Sequence, residues 1–167
     1  MDCERCILYL YDPTLRALHT KAVRGPKINS FTVQTDKGVI GKVYSSHNGL
    51  IIKSPYEDPR FDRSLDQNRK SVTRNLLCVP LKVGQKCIGC LEIANKKVGE
   101  FTEHNYNLAL MVARELAVGI IEKKAFIRNN IEFKENVGRV ASENLLRPLL
   151  KNILLILAET LSCEKYI

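Results

Sequence analysis

Apolar positions come in short runs over most of the chain and then at helical spacing towards its end. Residues 6–11 and 15–23 are two such runs split by Asp12-Pro13-Thr14, the pattern of a hairpin whose turn has its φ preset by proline. Gly25-Pro26 breaks the chain, and residues 31–34 alternate like an exposed or edge strand. Gly38-Val39-Ile40-Gly41-Lys42-Val43-Tyr44 predicts a short helix, with small residues where backbone can come close to another group. Leu50, Ile51 and Ile52 predict a brief strand. Residues 55–74 are polar and turn-rich, too long for a plain connector and of the kind that forms binding loops. Two strong strand signals follow, residues 76–83 and 86–94, meeting across Gly84-Gln85. Strands that arrive as hairpins with only short helices between them predict an antiparallel α+β sheet, not a doubly wound one.

Thr102 is a good N-cap for a helix with Leu108, Met111, Val112, Leu116 and Ile120 on one face. Ala109, Leu110, Ala113, Ala117 and Ile121 make much of its other side apolar, so it is expected to pack on both its own sheet and a partner. After a charged stretch around residues 123–138, Ser142 is placed to cap a last helix over 145–161, with Pro148 tolerated in its first turns. The two apolar helices predict a helix-mediated homodimer.

At 167 residues the chain is long enough for one well-buried domain and an appendage. With 45% hydrophobic and 26% charged residues it is not a disordered composition. The longest unbroken apolar runs, such as residues 153–158, are far too short to span a bilayer, and the N-terminus lacks the basic start and apolar core of a secretory signal. A cytoplasmic protein with no membrane partner is the expectation. The net charge of +8 would suit an anionic partner, but the cluster Arg60, Arg63, Arg69, Lys70 and Arg74 has no interleaved aromatics, so nucleic acid is not expected.

Catalytic and cofactor motifs are missing. There is no G-x-S-x-G, H-E-x-x-H, P-loop or paired-aspartate metal set, and the three histidines are scattered, so neither an enzyme nor a cofactor site is expected. Cysteines stand at 3, 6, 78, 87, 90 and 163, with C-x-x-C spacing in two pairs. Cys87 and Cys90 lie within a strand, where residues three apart point to opposite faces, and the mouth of another strand holds Cys3 and Cys6. Both pairs therefore read as small buried hydrophobes and not as metal ligands.

Four segments carry a family resemblance: Cys3-Glu-Arg-Cys-Ile-Leu-Tyr-Leu-Tyr-Asp12, Asp36-Lys-Gly-Val-Ile-Gly-Lys-Val43, Tyr56-Glu-Asp-Pro-Arg-Phe61 and Thr73-Arg-Asn-Leu-Leu-Cys-Val-Pro80. In order and spacing they resemble a GAF domain over roughly residues 2–124, most similar to those of cyclic-nucleotide phosphodiesterases. The resemblance implies an α+β domain at 1–124: an antiparallel sheet with helices on both faces and long helices at its C-terminal end. Residues 125–167 would be a helical linker and the start of a second such domain, since Cys163-Glu164-Lys165-Tyr166-Ile167 repeats Cys3-Glu4-Arg5-Cys6-Ile7.

By the same resemblance, Asp66 and Thr73 on a lid and Glu92 on a central strand would contact a purine, with Val39 and Ile40 as floor and as backbone donors to a phosphate. Arg24 and Arg69 replace a family acid and a family threonine and would attract that phosphate; the family's polar first-strand position is Ile7. Alternation puts Cys90, Glu92 and Ala94 on one face and Leu91 and Ile93 on the other, without deciding which face lines the pocket. Truncating Asp66 or Glu92 should remove binding and leave the fold intact. Of the family signature N-K…F-x-x-x-D-E, Asn95, Lys96 and Phe101 are present, but the two acids fall on Asn105 and Tyr106, so Lys96 can at best hydrogen-bond Asn105. The implied function is regulatory and non-enzymatic: sensing a cyclic nucleotide, cGMP or cAMP, and passing the signal through the C-terminal helix. A ligand-free dimerisation module is the alternative, and a redox sensor using Cys3, Cys6 or Cys163 a further rival.

Overall fold

The computed structural model describes residues 2–25, 30–69 and 71–132, and of residues 68–69 and 128–132 the backbone only. Strands β1 (Cys3–Asp12) and β2 (Ala17–Arg24) form the first hairpin. Asp12 secures its turn, accepting from the N–H groups of Thr14 (2.8 Å) and Leu15 (3.2 Å). Next come β3 (Thr32–Gln34), α1 (Gly38–Ser46), β4 (Leu50–Ile52), a 3₁₀ turn (Pro55–Glu57) and α2 (Arg63–Arg69). The hairpin β5 (Leu76–Val83) and β6 (Lys86–Lys96) leads into the long helix α3 (Glu103–Glu132). The six strands make one antiparallel sheet in the order β3-β2-β1-β6-β5-β4, with the longest strands central and the two three-residue strands at the edges. The α+β architecture expected from the hairpin pattern is the one found.

Each face of the sheet is buried against different elements. One face, carrying Leu8, Leu10, Leu77, Val79, Leu91 and Ile93, packs on Ala109, Ala113, Leu116, Ala117 and Ile120 of α3. The small alanines let the helix axis sit close to the strands. On the other face Ile7, Tyr9, Cys78, Cys90 and Ala94 pack on Val39, Ile40 and Val43 of α1. A close approach fixes α1: a Cβ at Gly41 would lie 2.8 Å from the carbonyl oxygen of Gln34. Two strands approach more closely still at Gly89, where a Cβ would lie 2.0 Å from the Tyr9 carbonyl oxygen across the β1–β6 ladder.

α3 starts as the sequence predicts. Thr102 Oγ1 accepts from the Asn105 N–H (3.3 Å) while Asn105 Oδ1 accepts from the Thr102 N–H (3.2 Å), a reciprocal capping pair. The helix then runs on without interruption into the charged stretch after 121, as far as Glu132. The predicted last helix over 145–161, and Cys163, lie outside the described residues. Among the described residues no helix is long and apolar enough to cross a membrane.

A β-bulge corrects the reading of Cys87 and Cys90. Leu81 pairs with Gly89 but the next residue, Lys82, pairs with Cys87, so Ile88 is an extra residue on β6. One inserted residue inverts the alternation beyond it. Cys87 therefore stands opposite Lys82 and on the same face as Cys90, which stands opposite Pro80. The rule that residues three apart face opposite ways holds only for an unbulged strand.

Candidate functional site

The site is built on the α1 face of the sheet, where register brings charges together. Arg5, Ile7 and Tyr9 alternate onto one face of β1, and their partners on β6 are Ala94, Glu92 and Cys90. Leu8, Leu91 and Ile93 belong to the α3 core, so Glu92 faces away from α3 and towards the segment carrying the 3₁₀ turn and α2. That segment folds down as a lid. Its own packing is aromatic and cationic: Tyr56 lies 5.4 Å from Phe61, and the Arg63 guanidinium sits 5.4 Å from the Tyr56 ring centroid.

Arg5 joins the lid to the sheet. Its Nε and Nη2 donate to Glu92 Oε1 at 3.2 and 3.1 Å, Nη2 also to Thr73 Oγ1 at 2.7 Å, and Nη1 to Ser71 Oγ at 3.1 Å. Tyr9 Oη donates to Glu92 Oε2 at 2.8 Å. Thr73 passes the connection on: its hydroxyl donates to Asp66 Oδ1 at 2.7 Å and its N–H to Asp66 Oδ2 at 2.6 Å. Tyr56 Oη donates to Asp66 Oδ2 at 3.0 Å, and Arg5 Nη2 lies 3.9 Å from Asp66 Oδ1. The Tyr56 hydroxyl is pushed up by its loss of solvent and by this bond. Arg5, Glu92 and Asp66 are each only 2% exposed. Charges so far from water need their partners, because removing one leaves the others buried and uncompensated.

Asn95 secures the end of the lid. Its amide donates to the Val72 carbonyl (2.8 Å) and to Glu4 Oε2 (2.9 Å), and its side-chain oxygen accepts from the Arg74 N–H (2.8 Å). Its φ of 59° puts it in the left-handed region that asparagine tolerates. Glu4, paired with Arg74 at 2.8 Å, is held below the usual carboxylate range by that bond. Behind the sheet Lys96 Nζ donates to Asn105 Oδ1 at 2.9 Å, the neutral tie that the substituted signature implied.

The structure thus brings Asp66, Thr73 and Glu92 into one cluster. Val39 and Ile40, both 3% exposed, lie in the apolar layer beside it with Phe61 and Leu65. Arg24 is not with them. It pairs with Cys6, on the α3 face, at the exposed end of β2. Arg69 closes α2, and its side chain lies outside those described. Sequence reasoning missed Arg5, Tyr9 and Tyr56. The available signal was a charge on the same face as Ile7 and Tyr9, in a strand long enough to be central. Asp66 and Glu92, expected to be dispensable to the fold though needed for binding, also anchor the network: Glu92 holds Arg5, and Asp66 holds Thr73 and Tyr56.

Among the described residues no group of three or more histidine, cysteine or acidic side chains could hold a metal ion. The thiols of Cys3 and Cys6 are pushed up, first by burial, which lowers their thiolate content.

A curled antiparallel sheet with one apolar face under a long helix and a lid closing the other is a recognisable domain type. The GAF domain family model matches residues 1–120, and the chain belongs to that family. It is 32% identical over 157 residues to a probable 3′,5′-cyclic phosphodiesterase, pde-5, of Caenorhabditis elegans, covering 87% of this chain and 21% of the relative. It is 26% identical over 166 residues to a cGMP-specific 3′,5′-cyclic phosphodiesterase of Drosophila pseudoobscura pseudoobscura, covering 93% of this chain and 15% of the relative. The chain therefore spans about a fifth or less of these relatives. Among solved structures, the GAF domain of a phosphoenolpyruvate-protein phosphotransferase from Coxiella burnetii superposes with a TM-score of 0.67 at 18% identity over 74% of each chain. A free methionine-R-sulfoxide reductase from Neisseria meningitidis shares the fold at a TM-score of 0.55 and 23% identity, covering 69% of this chain and 63% of that one.

Proposed function

We propose that this is a regulatory domain that senses a purine nucleotide, a cyclic one first among candidates, between the Glu92 face of the sheet and the lid. One observation carries the reading: carboxylates from a central strand and from the lid, Glu92 and Asp66, meet at one buried point through Arg5 and Thr73. A purine edge offers donors to such carboxylates, and a phosphate suits a guanidinium. Similarity to cyclic phosphodiesterases supports the nucleotide class. In the closed arrangement these groups bond one another, so a ligand replaces those bonds and moves the lid as it does so. Val39 and Ile40 form the floor, and Arg69 at the lid's end adds positive charge. The domain needs no catalytic group for this role, and we place it in the cytoplasm, with residues 125–167 as linker into a further domain.

Calorimetry of the chain with cGMP and with cAMP is the test. Glu92→Gln keeps the shape but loses the charge. A charged hydrogen bond is worth roughly 1.5–3 kcal/mol, so affinity should fall about ten- to a hundredfold. Binding should also weaken with added salt. If neither nucleotide binds the folded chain at millimolar concentration, the nucleotide reading fails.

A second reading has its own observation. Met111, Val118 and Phe126 are exposed at 64%, 40% and 69%, spaced along one side of α3. Dimerisation through this helix covers them. Light scattering that gives a monomer at micromolar concentration would rule it out.

A further inference from the structure

Three thiols line the same sheet face, running from beside Glu92 to the β5–β6 turn. The bulge at Ile88 turns Cys87 onto the face of Cys90, and Cys78, opposite Glu92, shares that face one diagonal step away. Cys90 thus lies between Cys87 along its own strand and Cys78 across the ladder. Its own sulfur lies 3.6 Å from the Ile40 carbonyl oxygen, and Cys87 Sγ lies 3.2 Å from that of Gly89. All three are free thiols. Cys78 and Cys90 are fully buried, whereas Cys87 keeps 7% of its surface in contact with solvent. A C-x-x-C pair with both side chains on one strand face, one keeping some solvent contact and the other none, is placed to act as a reversible dithiol.

We infer that Cys87 and Cys90 form an oxidisable pair, in which Cys87 meets a peroxide and Cys90 resolves the product as a disulfide. In the first step the Cys87 thiolate attacks one peroxide oxygen, the O–O bond breaks, and hydroxide leaves to be protonated to water. In the second, Cys90 sulfur attacks the Cys87 sulfenic sulfur, an S–S bond forms and a second water leaves with the Cys90 proton. Two thiols are oxidised and one peroxide is reduced to two waters. The sulfurs, brought to one strand face by the bulge, must close to about 2 Å, a local movement of a bulged strand end beside a two-residue turn. The environment separates the two roles. A hydrogen bond from Cys90 brings the Cys87 thiol down to about 7, while burial pushes Cys90 well up.

The full chain is exposed to hydrogen peroxide at neutral pH, denatured in iodoacetamide and digested with trypsin. The peptide of residues 87–96 should lose two hydrogens and take up no alkyl group, reversed by dithiothreitol, while Cys78 stays alkylated. Oxidation should slow as pH falls below about 7, where the Cys87 thiolate is lost. In Cys90→Ser, Cys87 should accumulate as a sulfenic acid trapped by dimedone; in Cys87→Ser, Cys90 should remain alkylatable. If both cysteines stay alkylated at a dose that oxidises glutathione, the inference is overturned. It is equally overturned if the disulfide found joins either of them to Cys3, Cys6, Cys78 or Cys163. Should the serine variants misfold, the mapping of the unaltered chain decides alone.

Discussion

The two faces of the sheet solve the problem of burial in opposite ways. Against α3 the core of the sheet presents aliphatic side chains, which need volume and shape but no particular partner. Against the lid it presents Arg5 and Glu92 within an otherwise apolar layer, and each of these needs a specific partner at hydrogen-bond distance. The α3 face is therefore tolerant and permanently closed. The lid face is demanding, and its partners sit on a segment held by these polar bonds together with the packing of Phe61 and Leu65. A ligand that can replace those bonds has a way in on that side only.

Breaking the charged face should have the largest effect. Arg5→Met leaves Glu92 buried without its cation and should cost about 3–5 kcal/mol in urea denaturation, whereas Arg5→Met with Glu92→Leu should recover much of that loss. Equal midpoints for Arg5→Met and the unaltered chain would show that the lid network contributes nothing to the fold. On the aliphatic face, Leu91→Ala removes a side chain 1% exposed and should cost about 2–5 kcal/mol, but Leu91→Met less than about 1.5. No such conservative rescue is expected for Arg5, and comparing Arg5→Lys with Leu91→Met sharpens the contrast directly.

Smaller effects probe where the two faces join at their ends. Thr102→Ala removes the cap of α3 and should cost about 1 kcal/mol. Asn105→Asp keeps the cap, gives Lys96 an anion and adds negative charge to a helix start, so it should stabilise by about 0.3–1 kcal/mol, read as a raised melting temperature. The smallest change concerns Glu4. Its folded carboxyl titrates below the ordinary value because of Arg74, so its contribution is present at neutral pH and is lost as pH falls through the carboxylate range. Carbon-detected NMR titration should show the Glu4 value rising towards normal in Arg74→Ala; an unchanged value would mean the pair is not formed in solution.

Much of the fold is legible because hydrophobic period and turn residues are local. The 76–83 and 86–94 runs, the Thr102 cap and the helical spacing from Leu108 each carry their structure in a few neighbouring residues. The family segments made the lid residues legible as well, and the replacement of an acid by Asn105 foretold a neutral tie to Lys96. Three things were not local. Alternation put Glu92 with Cys90 and Ala94, but only the packing of α3 against Leu91 and Ile93 showed that this face meets the lid. Arg5 looked like one more charge in a signature segment until the β1–β6 register set it opposite Ala94, beside Glu92 and under Thr73. And no spacing rule could place Cys87 beside Cys90, because the bulge that does so arises where two strands of unequal length between pairings meet at Leu81 and Lys82. Sequence determined which segments become strand or helix, since that choice depends on neighbours along the chain. Which buried charges and thiols touch depends on register and face, and those are properties of strands once paired.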